Sequence, residues 1–313
     1  MQVYVVRRLL ASIPVLVFVA VATFSIIHIV PGDAAHIIAG DDATPQQLEE
    51  IRKALGLDRP FLEQFGSWLG KVFRGDLGTS LFSGWSIGSL LLDRLEPTLS
   101  LAISSLFMSA LIGIPLGVLA AWRAHKAIDR LVMVFVVLGF SIPGFWLGLM
   151  FIWAFGVNLH WFPVIGFTSI FDSFPGFLRG IFLPSFNIAI HAAALIARMT
   201  RSSMLEVLSE DYIRTARAKG LEERYVLVRH ALKAASLPVV TIIGLMIAGL
   251  LTGVVVTETV FTIPGVGRLI VEAVARRDLP IIQAVMILVG TVYVFVNLLT
   301  DLTYAYLDPR VRY

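Results

Sequence analysis

An all-α membrane protein with about six transmembrane helices is the fold class this sequence predicts, on three observations. Of its 313 residues, 57% are hydrophobic and only 15% charged, with a mean hydropathy of +0.84. The apolar residues gather in stretches of about 20, the length that crosses the hydrocarbon core of a bilayer. Lys and Arg collect between alternate stretches, as they do on the cytoplasmic side of membrane proteins. A soluble domain has roughly a quarter of its residues charged, and a chain this apolar carries more apolar surface than it can hide inside itself. Lipid is the solvent that fits.

The spans follow in order. The first covers residues 9–30 and ends at Pro31-Gly32. It has the basic start of a secretory signal, but its apolar run is longer than a signal's and no small-x-small site follows it directly, so a retained signal-anchor helix is expected. The second covers residues 99–122 and the third 131–156. The fourth, 181–197, is short and carries Pro184, Asn187 and His191. The fifth covers 238–257 and the sixth 281–299. The chain thus divides into residues 1–30, an outer loop 31–96, and a core 97–313 that contains a charged loop, 198–233.

Orientation follows from the basic residues. Arg7 and Arg8 precede the first span; Arg123, Lys126 and Arg130 lie between the second and third; Arg310 and Arg312 end the chain. The segment 198–233 holds eight Lys or Arg and five Asp or Glu. All of these share one side if there are six spans, which places both termini in the cytoplasm of a multi-pass protein. The loop 262–280, with Arg268, Arg276 and Arg277, runs against the rule. The net charge of +3 is too small for the pI of about 9.3 to imply a nucleic-acid partner. No cysteine occurs, which excludes disulfide, thiolate and Cys-metal chemistry.

The outer loop is long for a connection. Thr44-Pro45 reads as an N-cap and first helical position, followed by Leu48, Ile51 and Leu55 at helical spacing and Gly56 as a stop. The stretch PFLEQFGSWLGKVFRGDLG holds a second amphipathic piece. Such helices cover either the membrane interface or a partner.

The charged loop is built with more care. In SEDYIRTARAKGLEERYVLVRHALK, Ser209 reads as an N-cap, with Glu210 and Asp211 in the positive first turn. Arg214, Arg217 and Lys219 fill the negative end, and Gly220 supplies a left-handed stop. Leu221, Tyr225, Val228 and Leu232 then mark one face of a second helix that climbs back to the membrane. A cytosolic surface of this kind is expected to meet a partner.

This segment resembles the EAA loop of ABC-importer permeases. Arg214, Thr215 and Ala216 fall on the EAA positions, Gly220 on the glycine, and His230 and Leu232 on the I-x-L pair. Arg for Glu, Thr for the first Ala, His for Ile and Lys233 for the following proline depart from that pattern, in the manner of the peptide/nickel branch. The series VVRRLL, IVPGD, LGLDRPF, GDLGTS, IGIPLGVLAA, SIPGFWLG, TETVFTIPGVGRLIVEAV, RRDLPIIQ and DLTYAYLDPRVRY extends the likeness over the whole chain. Within the branch it is similar to the first permease subunits of dipeptide, oligopeptide and glutathione importers.

The resemblance implies a type I ABC-importer permease fold in the bacterial cytoplasmic membrane. It implies a homologous second permease, two ABC ATPase subunits that bind ATP and Mg, and an external substrate-binding protein that docks on the 31–96 loop. Asp211, Tyr212, Arg214, Thr215, Ala216, Arg217, Ala218, Lys219 and Gly220 would form the ATPase-coupling element. Ala216, Ala218 and Gly220 would permit close seating, and Tyr212 would be an aromatic anchor. Small peptides are the expected solute, with nickel as the alternative.

The chain has no G-x-x-x-x-G-K-[ST] and no H-E-x-x-H, so no cofactor of its own is expected. Asn187, His191, Glu258, Asn297 and Asp301 are polar at membrane depth. They line a solute path, or they hold interfaces and join helices. A proton-coupled carrier and an intramembrane enzyme are the readings from other classes.

Overall fold

The computed structural model describes residues 2–29, 44–55 and 58–307. The Pro31-Gly32 stop, Gly56, and Arg310 and Arg312 lie outside them. The chain divides into two compact units. One comprises Glu96–Arg268 and Val296–Tyr313, the other Gln2–Leu95 and Leu269–Phe295. Among the described residues, five helices are long and apolar enough to cross a membrane, and a bent pair makes a sixth when it is counted as one span.

The second unit begins with α1 (Gln2–Ile29), α2 (Pro45–Leu55) and α3 (Phe61–Phe73). Thr44 precedes α2 as expected, its carbonyl taking the Leu48 N–H at 3.1 Å. The amphipathic α3 touches α1, with Phe24 lying 5.3–5.5 Å from the rings of Phe61, Phe65 and Trp68, but none of its residues is buried.

In the first unit, α7 (Phe174–Leu208) is the hub around which α4 (Ile87–Trp122), α5 (Ala127–Ser141), α6 (Gly144–Phe151) and α10 (Lys233–Val260) pack. Its 35 residues span roughly 52 Å at 1.5 Å per residue, well beyond the expected fourth span. The Ser173 hydroxyl accepts the Gly176 N–H and Pro175 sits in the first turn, so the helix starts seven positions before the apolar run, at Phe174. Neighbouring helices come close through glycine. A Cβ at Gly113 or Gly117 of α4 would strike the Ala193 or Ala197 carbonyl, and one at Gly139 of α5 the Ala194 methyl. This small-residue contact lets backbones approach where lipid supplies no hydrophobic force between helices.

The third span is not a single helix. α5 stops at Ser141, and α6 with its π-helical continuation Ile152–Asn158 leaves at 103°. Pro143 causes the break: it excludes helical geometry at the residue before it, and Ile142 is extended at φ −85°, ψ 124°. The continuous apolar run through Ser141-Ile142-Pro143-Gly144 concealed the corner. The fifth span also begins before Pro238, because α9 (Glu223–Tyr225) runs through a π-helical stretch, Val226–Leu232, straight into α10.

Candidate functional site: an exposed helical corner and a buried one

Between α7 and α10 stands α8 (Asp211–Ala218). Ser209 does not open it. Its hydroxyl donates back to the Glu206 carbonyl at 2.6 Å and closes α7, which runs further than its apolar residues suggest. Glu210 takes the N-cap in extended geometry without a side-chain bond.

Only Ile213 and Ala216 of α8 are buried, against Met204 of α7 and Val226, Leu227 and Ala231 of the π-helical stretch. Asp211, Tyr212, Arg214, Thr215, Arg217, Ala218, Lys219 and Gly220 are all exposed. Ala216 therefore does not offer the close outward seat expected of it. Residues three apart share one helix face, and the Ile213/Ala216 face is the one that holds α8 to its own chain.

The end of α8 is a Schellman motif. The Leu221 N–H reaches the Ala216 carbonyl at 3.4 Å and the Gly220 N–H the Arg217 carbonyl at 2.9 Å. Gly220 has φ +76°, and nothing lies within 4 Å of where a Cβ would be. Backbone hand, not space, demands the glycine. Across the turn, Arg217 forks onto Glu223 at 3.1 and 2.8 Å, while Arg214 meets Asp211 at 3.2 Å.

The face expected beyond the turn is rotated. Leu221, Tyr225 and Val228 are exposed, and Val226, Leu227, Ala231 and Ala235 carry the burial. Leu221 and Tyr225 precede the π-helical stretch; within it, where a turn takes more than 3.6 residues, Val228 falls off the buried side while Leu232 still packs against the cluster. The outcome is a mixed surface of Tyr212, Leu221, Tyr225 and Val228 among arginines, with Arg229 over the Tyr225 ring at 5.4 Å. Although Tyr212 is exposed, partial desolvation, and then the charge of Glu210, push its phenol above the ordinary range. It is a neutral hydroxyl at physiological pH.

The second corner ends α10. It is again a Schellman motif, with the Ile263 N–H on the Glu258 carbonyl at 2.8 Å and the Thr262 N–H on Thr259 at 3.4 Å. Here the left-handed residue is Thr262, at φ +56°. The Glu258 side chain is completely buried. Its Oε1 accepts from Thr98 Oγ1 at 2.6 Å and its Oε2 from the Arg268 N–H at 2.8 Å, while Thr98 Oγ1 accepts the Val266 N–H at 2.8 Å. Val266 and Arg268 lie in the first turn of α11 (Val266–Arg276), so a carboxylate and a hydroxyl close that helix's positive end. A Cβ at Gly265 would fall on the Glu258 carboxylate, and one at Gly267 on Val255.

Asn187 and His191 do share a face of α7. His191 Nε2 lies 2.9 Å from the Ile142 carbonyl at the break and Nδ1 3.1 Å from the Asn187 carbonyl. A neutral ring donates to one of the two. Asn187 is 3% exposed and its Oδ1 makes no hydrogen bond among the described residues. Asn297 is half-buried on α12 (Leu279–Leu307), and the Asp301 side chain lies outside the described residues. Sequence reasoning missed the fork of Arg201 on Asp129, 2.6 Å from Nε to Oδ1 and 2.8 Å from NH2 to Oδ2. It joins residues 72 apart that nothing local connects. Its one sequence signal is that each is a charge at a span end.

Comparison with known proteins places these features. Residues 113–313 match the family described as binding-protein-dependent transport system inner membrane component, and residues 1–102 match the N-terminal part of such components. The chain is 45% identical to a probable peptide ABC transporter permease of Sinorhizobium fredii, over the full length of both. It is 40% identical to a dipeptide transport system permease of Alkalihalophilus pseudofirmus, again over all of both chains. A glutathione transport system permease of Escherichia coli is 42% identical, over 99% of each. Among solved structures, an inward-facing form of the MetNI methionine ABC transporter superposes with a TM-score of 0.57 at 20% identity. That match covers 70% of this chain and 96% of the other, and it identifies the fold as that of an ABC-importer permease.

Proposed function

Since this chain belongs to the family of binding-protein-dependent transport system inner membrane components, we propose that it is the permease subunit through which an ATP-driven importer passes small peptides. A homologous second permease completes the path. An external binding protein delivers the solute and docks on residues 31–96, and two cytosolic ATPases supply ATP and Mg chemistry. Both termini and α8 face the cytosol. Asp211–Gly220 seats on one ATPase and transmits its closure through α7 and α10. Peptide, dipeptide and glutathione relatives of full length support the solute class.

The observation that carries this reading is α8 itself: a short helix fastened to its own chain by two residues, with every other side chain turned outward. Its test combines topology and solute. In this cysteine-free chain, Asp172→Cys should label from outside intact cells with an impermeant thiol reagent and Arg217→Cys should not. A deletion strain should fail to grow on a peptide as amino-acid source while nickel-dependent urease activity persists. Equal labelling of both cysteines, or loss of urease with peptide growth intact, would overturn the assignment.

A further inference from the structure

α5 is fastened to α7 at three levels. At its start, Asp129 is 4% exposed and does two things. Its Oδ2 accepts the His125 N–H at 2.9 Å, closing the left-handed turn at His125 (φ +65°) that leads into the helix. Both its oxygens also receive the Arg201 fork. In the middle, Gly139 lies against the Ala194 methyl. At its far end, the Ile142 carbonyl meets His191. Arg201, Ala194 and His191 all belong to α7. One turn beyond Arg201, Met204 is fully buried in the cluster that seats Ile213 and Ala216 of α8. A short polar and packed route therefore runs from the exposed corner to the bent third span.

We propose that Arg201 is a positioning residue for transport: its fork on Asp129 makes α5 move with the end of α7, so that a displacement of α8 reaches the break at Ile142-Pro143 and is not lost in the loop 123–126. The proposal rests on α8 being the coupling element. Arginine suits the task because its planar fork fixes angle as well as distance, whereas lysine offers a single mobile point charge. Burial of the carboxylate keeps the link from being screened as a surface pair is.

The test uses the assembled importer in proteoliposomes, with peptide uptake and ATP hydrolysis measured on the same preparation at matched protein amounts. With Arg201→Gln, hydrolysis should continue while solute carried per ATP falls about 5- to 150-fold, the range of a coupling free energy between two sites. Arg201→Lys should fall between that and the unmodified chain. Uptake and hydrolysis dropping in proportion would make the fork a fold contact only and would overturn the proposal. Should Arg201→Gln fail to accumulate, the pair Asp129→Cys and Arg201→Cys replaces it. Before cross-linking this pair should be uncoupled, and a short bifunctional maleimide should restore solute per ATP. Full coupling before cross-linking, or none after it, counts against the link. Failure of the coupling reading is read separately, from Gly220→Val with both forks intact: normal uptake there would remove the premise, whatever Arg201 does.

Discussion

The corners at Gly220 and Thr262 close their helices with the same pair of backbone hydrogen bonds, yet they are built for opposite ends. At the first, the left-handed position is glycine in open space, and the helix before it shows the solvent nearly all its side chains. At the second, the left-handed position is a β-branched threonine, and the next helix is capped by a carboxylate with no exposed surface at all. A β-branched residue at positive φ is strained, and such strain persists only where the surroundings over-determine the conformation. Thr98, Glu258, Gly265 and the α11 amides do so. The Gly220 corner has no such frame. Its Arg217–Glu223 pair is about 40% exposed, and surface pairs of that kind contribute about 0–1 kcal/mol. One corner is a joint completed within the chain, and the other leaves its surface exposed.

The largest effect expected from this contrast is at the joint. Glu258→Ala removes the acceptor that the Thr98 hydroxyl and the Arg268 amide share at a part-buried site, at about 1–3 kcal/mol each. Gly265→Ala reaches the same end by overpacking, at roughly 1–3 kcal/mol. Both should lower the melting temperature of detergent-purified protein and its level in membranes together, so that uptake falls because the protein falls. Glu258→Ala protein that melts normally yet fails to transport would move Glu258 from the joint to the solute path.

A middle-sized effect separates the two sides of α8. Ala216→Asp places an unpaired carboxylate in the cluster of Met204, Ile213 and Ala231, which is strongly destabilising. Ala218→Asp, two residues on, adds a charge to an exposed position. The first should reduce the amount of protein. The second should leave amount and melting intact and reduce uptake, as the proposed seating of α8 on an ATPase requires. Identical behaviour of the two variants would mean that α8 has no inward and outward face, and the contrast between the corners would lose its basis.

What could be read from the sequence divides along the same line. The Gly220 corner was legible because its signals are local: an acidic first turn, a basic last turn, and a glycine where a left-handed residue is required. The errors near it are also local, and each has a cause. Ser209 serves a helix end as readily as a helix start, and the π-helical stretch 226–232 moved Val228, though not Leu232, off the buried side. The Ile142-Pro143 break was spelled out by proline chemistry but masked by unbroken hydropathy. The Glu258 joint was not legible, because its decisive partner, Thr98, is 160 residues away. Apolar periodicity carries no record of which distant hydroxyl a buried carboxylate will meet. The same holds for Arg201 and Asp129.

The smallest effect is the one that measures the strain directly. Gly220 and Thr262 occupy the same position of the same motif, so exchanging their identities is a controlled experiment on backbone hand. A side chain at positive φ costs about 1–2 kcal/mol relative to its relaxed geometry, and a glycine costs about 0.5–1 kcal/mol more to order than a residue with a Cβ. These oppose each other, so Thr262→Gly should gain, and Gly220→Thr lose, about 1 kcal/mol or less. Melting temperature in detergent should move by a small amount in opposite directions. Function should not follow stability. Gly220→Thr should reduce uptake beyond what its small destabilisation explains, because the altered turn re-aims α8 at its partner. Thr262→Gly should leave uptake unchanged if the hydrogen bonds around Glu258 hold the corner by themselves. If Thr262→Gly destabilises as much as Gly220→Thr, contacts of the threonine side chain outweigh its strain. The two corners would then differ in packing rather than in stored strain.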